Sequence, residues 1–381
     1  MNLTLSEAIA DSVSIANKIS NNRMVFTGSS DLSLKGEKLM SRSAQSMRKK
    51  FQTSGKRKEY MDLYHFVATF YHHLLCNTAE GEQAMKYLLS RGFTKEIIEK
   101  FQIGWSHQSD VLRKLLLAHG YELDDHQEFG ILQPDRRRNG MRTGFFHNRI
   151  TLPIRNLHGE IVAFSARTLP GNTHPAKYLN TPDTPFFEKG KILYNLDLAV
   201  SSIKRKGFAV LFEGFFDTIT ATQNGLDNVI SVMGTSLTEQ QIEEIHEWTD
   251  RVVICYDGDA AGMESAKRIG EAVLEQGLDI RVSIMPEGID PHDYITEYGI
   301  DRFKKIIAKS STYIEFCKEH AKRKTDFSKE TDKLKYANKV LSELHKADSL
   351  GDTSRLYNEL AKELGISTEV IKGSISRNNI I

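Results

Sequence analysis

An α+β architecture is predicted, built around an α/β domain whose parallel sheet carries helices on both faces. A smaller basic domain of mixed α/β type precedes it and a helical tail follows it. Three observations lead there. Between residues 206 and 300 short apolar strands alternate with helix-length segments. Before that stretch helical spacing gives way to short alternating runs, and after it helical spacing alone continues. The charge is also divided: within a formal net of +1, residues 213–301 carry 19 acidic and 4 basic side chains, a net of −15 that leaves +16 on the rest. The expected organisation is a basic, partly flexible segment over 1–59, a basic subdomain over 60–205 that is helical and then mixed α/β, the α/β domain over 206–300, and a helical subdomain over 301–381.

Composition excludes several classes. With 381 residues, 40% hydrophobic and 27% charged, the chain is of ordinary globular type rather than disordered, collagen-like or a small disulfide scaffold. Its apolar stretches fall far short of the ~20 residues of a spanning helix, so no membrane partner is expected. The three cysteines, Cys76, Cys255 and Cys317, are widely separated. They make neither a disulfide framework nor a Cys-x-x-Cys clip, so a reducing cytoplasm and no zinc site in this chain are expected.

Along the chain, Thr4 with Glu7 forms a capping box for a short helix carrying Ile9, Val13 and Ala16. Residues 21–58 are polar and end in Arg42, Arg48, Lys49, Lys50, Lys56, Arg57 and Lys58 without one acid. A solvated, flexible tether is the favoured reading there, a nucleic-acid arm the other. From 60 to 120 Leu63, Phe66, Val67, Phe70 and Leu74, then Leu88 and Leu89, then Ile97, Ile98 and Phe101 recur at helical spacing, with caps such as Thr94. The aromatic group Tyr64, Phe66, Phe70 and Tyr71 is read as core. Residues 150–154 and 161–164 read as strands joined by a turn over 156–159. In the α/β stretch, strands over 208–212, 228–233, 251–256 and 279–285 alternate with helices, the second capped by Thr238 with Gln241 and the third beginning near Ala260. After Asp301 helical periodicity runs to Ile375 with no further strand signal.

Each strand of that stretch hands over to its helix through small or acidic residues: Glu213-Gly-Phe-Phe-Asp217, Gly234-Thr-Ser-Leu237, Asp257-Gly-Asp-Ala-Ala-Gly262, and Asp290-Pro-His-Asp293. In an open parallel sheet such loops emerge together at the carboxyl edge, where ligands bind. Glu213, Asp257, Asp259 and Asp290 should therefore converge. Clustered carboxylates repel one another unless they hold a cation. An oxygen-only set suits Mg²⁺, which keeps waters and substrate phosphates in its remaining positions. Phosphoryl transfer is the chemistry this implies.

These motifs, in this order, resemble the TOPRIM domain of bacterial DnaG-type primases. Tyr71-His-His-Leu-Leu75, Arg149-Ile-Thr-Leu-Pro-Ile154, Ala163-Phe-Ser-Ala-Arg167, Lys177-Tyr-Leu-Asn-Thr-Pro182, Phe187-Glu-Lys-Gly190, and Leu356-Tyr-Asn-Glu-Leu-Ala361 with Gly365-Ile-Ser367 resemble the rest of that family's polymerase core. The resemblance covers about residues 60 to 375. It implies template-dependent synthesis of RNA primers on single-stranded DNA from ribonucleoside triphosphates. Glu213, Asp257 and Asp259 match the catalytic metal-binding acids, with Glu213 either ligand or proton acceptor, and Asp217 and Asp290 match accessory acids. For Asp290 a turn acid before Pro291 is the plain alternative. Mg²⁺ is the implied ion, with Mn²⁺ as an alternative.

Between Arg136 and Lys177 there are 8 Lys or Arg against the single acid Glu160. Arg149, Arg167, Lys177, Tyr178, Asn180 and Lys189 resemble the family's template and nucleotide contacts, as cations and stackable or hydrogen-bonding groups would. For Arg149 and Arg167 a structural ion pair is the alternative. Three departures stand out. No cysteine precedes Cys76, where the family carries a zinc-binding module; the chain stops where a helicase-interacting domain would follow; and His292 replaces the usual Asp. His292 reads as a solvent-facing substitution or as a ligand suited to Mn²⁺. A compact core of phage or mobile-element origin is expected, served by a replicative helicase or a separate zinc-module protein. The competing readings are a TOPRIM nuclease or topoisomerase-like enzyme and a non-catalytic single-stranded DNA-binding protein.

Overall fold

The computed structural model describes residues 42–121, 123, 129–134, 140–172, 174–234, 236–347, 354–365 and 367–369, with residues 42–54, 109, 330, 334, 344–347 and 354–356 as backbone alone. The helix expected near residues 4–16 and the arginines at 136–138 lie outside the described residues. The chain divides between Asp197 and Leu198 into two compact units.

The first unit opens on helix α1 (Arg42–Asn77). Residues 42–58, expected as a flexible linker, are thus helical. No proline interrupts the run, and a helix once nucleated propagates at little cost. Its nucleus is the stretch in which Tyr60, Leu63, Tyr64, Val67 and Leu74 are fully buried at helical spacing. Helices α2 (Glu82–Ser90) and α3 (Lys95–Lys100) follow, the latter capped by Thr94, whose hydroxyl accepts the Ile97 N–H.

Strand β1 (Gly104–Ser106), α4 (Ser109–Ala118), β2 (Leu132–Pro134), β3 (Arg142–Gly144), β4 (Arg149–Arg155), β5 (Ile161–Thr168) and β6 (Tyr178–Asn180) complete the unit. An antiparallel sheet runs β1-β4-β5-β6, and β2 pairs with β3 as a separate ribbon. Strand β1 lies inside the stretch expected to be all helical. Three residues are too few to show a period of two, and pairing with β4 is what extends them. Nearly every residue of β4 and β5 is buried, so the sheet is covered on both faces. Helix α1 contributes to that cover: the Tyr60 hydroxyl donates to the Val162 carbonyl at 2.6 Å, and Tyr64 stacks on Phe164 with centroids 5.4 Å apart. The β4–β5 turn closes as expected over 156–159. Asn156 Oδ1 accepts the His158 and Glu160 N–H groups, and Gly159 sits at φ +76°, where a side chain would be strained.

Helix α5 (Leu196–Lys206) leads to β7 (Ala209–Phe212), α6 (Phe215–Gln223), β8 (Val229–Ser231), α7 (Glu239–His246), β9 (Arg251–Ile254), α8 (Ala260–Glu275) and β10 (Asp279–Val282). The sheet order is β11-β10-β9-β7-β8, with β8, β7, β9 and β10 parallel. All four residues of β7 are buried, as a strand covered on both faces requires. Thr238 and Gln241 form the expected capping box on α7. Beyond come α9 (Pro291–Tyr298), α10 (Ile300–Ala308), β11 (Ser311–Thr312), α11 (Tyr313–Arg323), α12 (Glu330–Ala347) and α13 (Ser354–Leu364). The strand β11 corrects the expectation of helix alone after Asp301: it pairs antiparallel with β10, and Thr312 then caps α11 in a second capping box. Two residues leave no sequence signature. Among the described residues no helix is long and apolar enough to cross a membrane.

Candidate active site and nucleic-acid surface

Parallel pairing of β8, β7, β9 and β10 sends their carboxyl ends to one edge of the sheet. Glu213 follows β7 directly and is half-buried. Burial raises the proton affinity of its carboxyl, the Asp259 charge adds to this and Arg268 opposes it. Asp217 lies in the first turn of α6 and is 7% exposed. Its carboxyl is pushed well above the ordinary range by burial, with the charges of Asp290 and Asp257 acting in the same direction. The five acids thus fall into two groups whose charges act on one another, Glu213 with Asp259, and Asp217 with Asp290 and Asp257.

The local backbone explains why glycines punctuate these motifs. A Cβ on Gly214 would stand 2.5 Å from Asp217 Oδ2, and one on Gly258 would meet the Pro286 carbonyl at 1.9 Å. Bare backbone lets the Asp257–Asp259 loop lie against the 286–289 turn, where the Gly258 N–H donates to the Ile289 carbonyl. Asp259 is the N-cap of α8, accepting the Gly262 N–H at 2.7 Å, and Asp290 is the N-cap of α9, accepting the Asp293 N–H at 2.6 Å. The turn-acid reading of Asp290 is realised as a cap ahead of Pro291, and each cap commits one carboxylate oxygen, leaving the other for a second partner.

His292 is not solvent-facing: it is 2% exposed. Its N–H donates to Asp217 Oδ1 at 3.0 Å, and its ring Nδ1 lies 2.5 Å from the Thr220 hydroxyl. It braces the buried Asp217 from the first turn of α9. No three His, Cys, Asp or Glu side chains among the described residues stand as a ready metal cage. An all-oxygen set of mutually repelling carboxylates nonetheless fits a hard divalent ion that completes its shell with water and substrate oxygens.

In the first unit, Arg149 is 2% exposed and its guanidinium donates to three backbone carbonyls, Ala166 at 3.1 Å, Lys177 at 3.2 Å and Ala176 at 3.0 Å. Among the described residues it forms no ion pair; it is a staple holding the loop before β6 to β5. The sequence hides this because an arginine at a strand end ordinarily reaches water. Arg167 is 8% exposed and lies over two rings, Tyr87 at 5.1 Å and Tyr178 at 5.8 Å, the second its register partner across β5 and β6. Tyr87, one ring of that stack, was not foreseen; it sits on α2, and only the fold brings it to β5. Lys177 is exposed, while Tyr178, Asn180 and Lys189 are half-buried. The Lys189 N–H donates to Asp183 Oδ1, and burial lowers the Lys189 ammonium's proton affinity, with Asp183 opposing.

Residues 70–200 match the DNA primase catalytic core, N-terminal domain, and residues 210–295 match the Toprim-like domain. The DNA primase of Halalkalibacterium halodurans is 39% identical over 314 residues, which are 82% of this chain and 52% of that protein. The chain thus spans about half the length of the curated relatives it matches. A DNA primase domain from Pseudomonas aeruginosa superposes with a TM-score of 0.69 at 29% identity, covering 84% of this chain and 99% of that one. A DnaG primase catalytic domain bound to single-stranded DNA gives 0.67 at 27% identity, covering 83% and 99%.

Proposed function

We propose that the chain belongs, over residues 70–200 and 210–295, with the catalytic cores of DnaG-type primases, whose domains match there, and that it synthesises short RNA primers on single-stranded DNA from ribonucleoside triphosphates. The observation that carries this is the placement of Glu213, Asp217, Asp257, Asp259 and Asp290 in the loops and helix starts at the carboxyl edge of one parallel sheet. Glu213, Asp257 and Asp259, with Asp217 and Asp290 as accessory acids, would hold Mg²⁺, or Mn²⁺ in its place. Bound there, the ion would make the primer's 3′-hydroxyl more acidic and offset charge on the triphosphate. The capping bonds of Asp259 and Asp290 fix the direction in which their second oxygens face. Glu213, whose proton affinity burial raises, suits acceptance of the hydroxyl proton as well as ligation.

Template contact falls to Lys177, Tyr178, Asn180 and Lys189, with Arg167 holding the Tyr178 ring and Arg149 holding the backbone that carries Lys177. A solved relative of this core has single-stranded DNA bound. No cysteine stands among residues 1–75, and a separate zinc-module protein or a replicative helicase would take part in start-site choice. A phage or mobile-element source and a cytoplasmic setting complete the proposal, while the curated relatives are bacterial.

Incubation with single-stranded DNA, labelled ribonucleotides and Mg²⁺ is the test. Short, template-dependent RNA products are expected. Nicked DNA with no nucleotide incorporated would replace the proposal with a nuclease.

A further inference from the structure

A pocket of about 290 Å³ opens beside Glu213 within the second unit. Three neighbouring strands supply its walls from their carboxyl ends: Glu213 after β7, Val232 and Ser236 after β8, and Tyr256 after β9. Helix α8 closes it with Ser265, Arg268 and Ile269, whose three- and four-residue spacing puts them on one helix face. Its polar side chains are the Arg268 guanidinium, the hydroxyls of Ser236, Tyr256 and Ser265, and the Glu213 carboxylate, whose charge a cation bound with the ligand would offset. Arg268 makes one hydrogen bond, to Ser265 Oγ at 3.2 Å, and its charge acts on the Glu213 carboxylate across the pocket without forming an ion pair among the described residues. Tyr256 is 3% exposed, and its hydroxyl is buried with no hydrogen-bond partner among the described residues. A buried hydroxyl left so is costly, ordinarily by about 1–3 kcal/mol, unless a ligand satisfies it.

A guanidinium and three hydroxyls around a small hollow match the oxygens of a phosphate, for which arginine's planar fork is suited. The volume lies below the ~300–1,000 Å³ of a site for a drug-sized ligand, which suits part of a nucleotide rather than the whole. We propose that this pocket receives a phosphoanhydride group, the polyphosphate tail of an incoming nucleotide or the pyrophosphate released from it, with Arg268 as its principal anion partner and Tyr256 and Ser236 as hydroxyl donors. The assignment rests on the primase reading, and it gives that reading's Glu213 a neighbour that holds the leaving side of the triphosphate.

Calorimetric titration of the whole chain with magnesium pyrophosphate, ATP and adenosine tests it, comparing the wild type with Arg268→Gln, Arg268→Lys and Tyr256→Phe. Pyrophosphate or ATP is expected to bind and adenosine not. Arg268→Gln should weaken binding about tenfold or more, the loss expected of a charge-assisted contact, and Arg268→Lys should restore part of it. Tyr256→Phe keeps the ring and removes only the unpartnered hydroxyl, so it should weaken binding while the unfolding midpoint of the unliganded chain holds or rises. Primer synthesis by Arg268→Gln should show a raised KM for nucleotide with a smaller change in kcat. Loss confined to pyrophosphate assigns the pocket to the leaving group, and loss confined to ATP assigns it to the bound tail. Unchanged binding and KM in Arg268→Gln, beside a wild type that makes primers, overturns the pocket and leaves the primase reading standing. Arg268-dependent pyrophosphate binding by a chain that makes no primer does the reverse.

Discussion

Arg149 and Arg167 begin from the same sequence argument and end in different roles. Both are arginines on strands in the basic part of the chain, and both invite a phosphate. Arg149 instead satisfies the carbonyls of Ala166, Ala176 and Lys177 from a site 2% exposed. Removing it leaves buried acceptors without donors, each worth about 1–3 kcal/mol. Arg149→Ala should therefore lower unfolding free energy by about 2–4 kcal/mol, measured by denaturant titration, and Arg149→Lys should rescue little, since an ammonium lacks the fork that spans three carbonyls. A variant of wild-type stability that merely binds DNA more weakly would show the side chain to be a template contact after all. What made Arg149 illegible was burial, which one sequence does not report. The acids were legible because strand ends and turn glycines mark them locally: Glu213 and Asp257 each follow a run of buried apolar residues, and Gly214 and Gly258 stand next to them where a Cβ would collide.

Elements of ordinary length followed from periodicity, while very short ones did not. The capping box at Thr238 and the alternation of β7 through β10 with their helices were readable. Strands β1 and β11, of three and two residues, exist only through their partners β4 and β10. The basic run before Tyr60 reads as a tether for a related reason, because helix there depends on the buried stretch of α1 downstream. Two predictions belong to this scale. Gly258→Ala drives a Cβ into the Pro286 carbonyl, so the β9–α8 loop must shift; a stability loss of about 1–3 kcal/mol together with loss of primer synthesis is expected, and a variant active at wild-type level would contradict the close approach. Helix α8 is also tied to α11 through Glu264, which pairs with Lys324 and lies 3.2 Å from His320 Nε2. Hydrogen bonds from Lys324 and His320 lower the Glu264 carboxyl from its ordinary 4.5 to about 2. A depressed carboxyl contributes stability that is present above its ordinary value and lost as the pH falls through the folded one. The pair is half-exposed, so the wild type should exceed Glu264→Gln by only about 0.5–1 kcal/mol at neutral pH. That difference should close between pH 4.5 and about 2, followed by thermal unfolding; a gap that persists at the acid end would mean the pair is not its source.

For the whole molecule, a net charge of +1 conceals a segment of −15 and a remainder of +16. The acidic segment is the part that repels itself without a cation, and the basic remainder includes the residues offered to a polyanion, so one chain carries both attractions a nucleic-acid polymerase needs. The chain's match to a primase catalytic core is consistent with that division. The central claim is that the carboxylates at the carboxyl edge of the sheet perform nucleotidyl transfer. The most direct measurement is template-dependent RNA synthesis on single-stranded DNA by the wild type, Asp257→Ala and Glu213→Gln, each first shown to unfold cooperatively. Short RNA products from the wild type, absent from both variants, are expected, and synthesis retained in both would contradict the account.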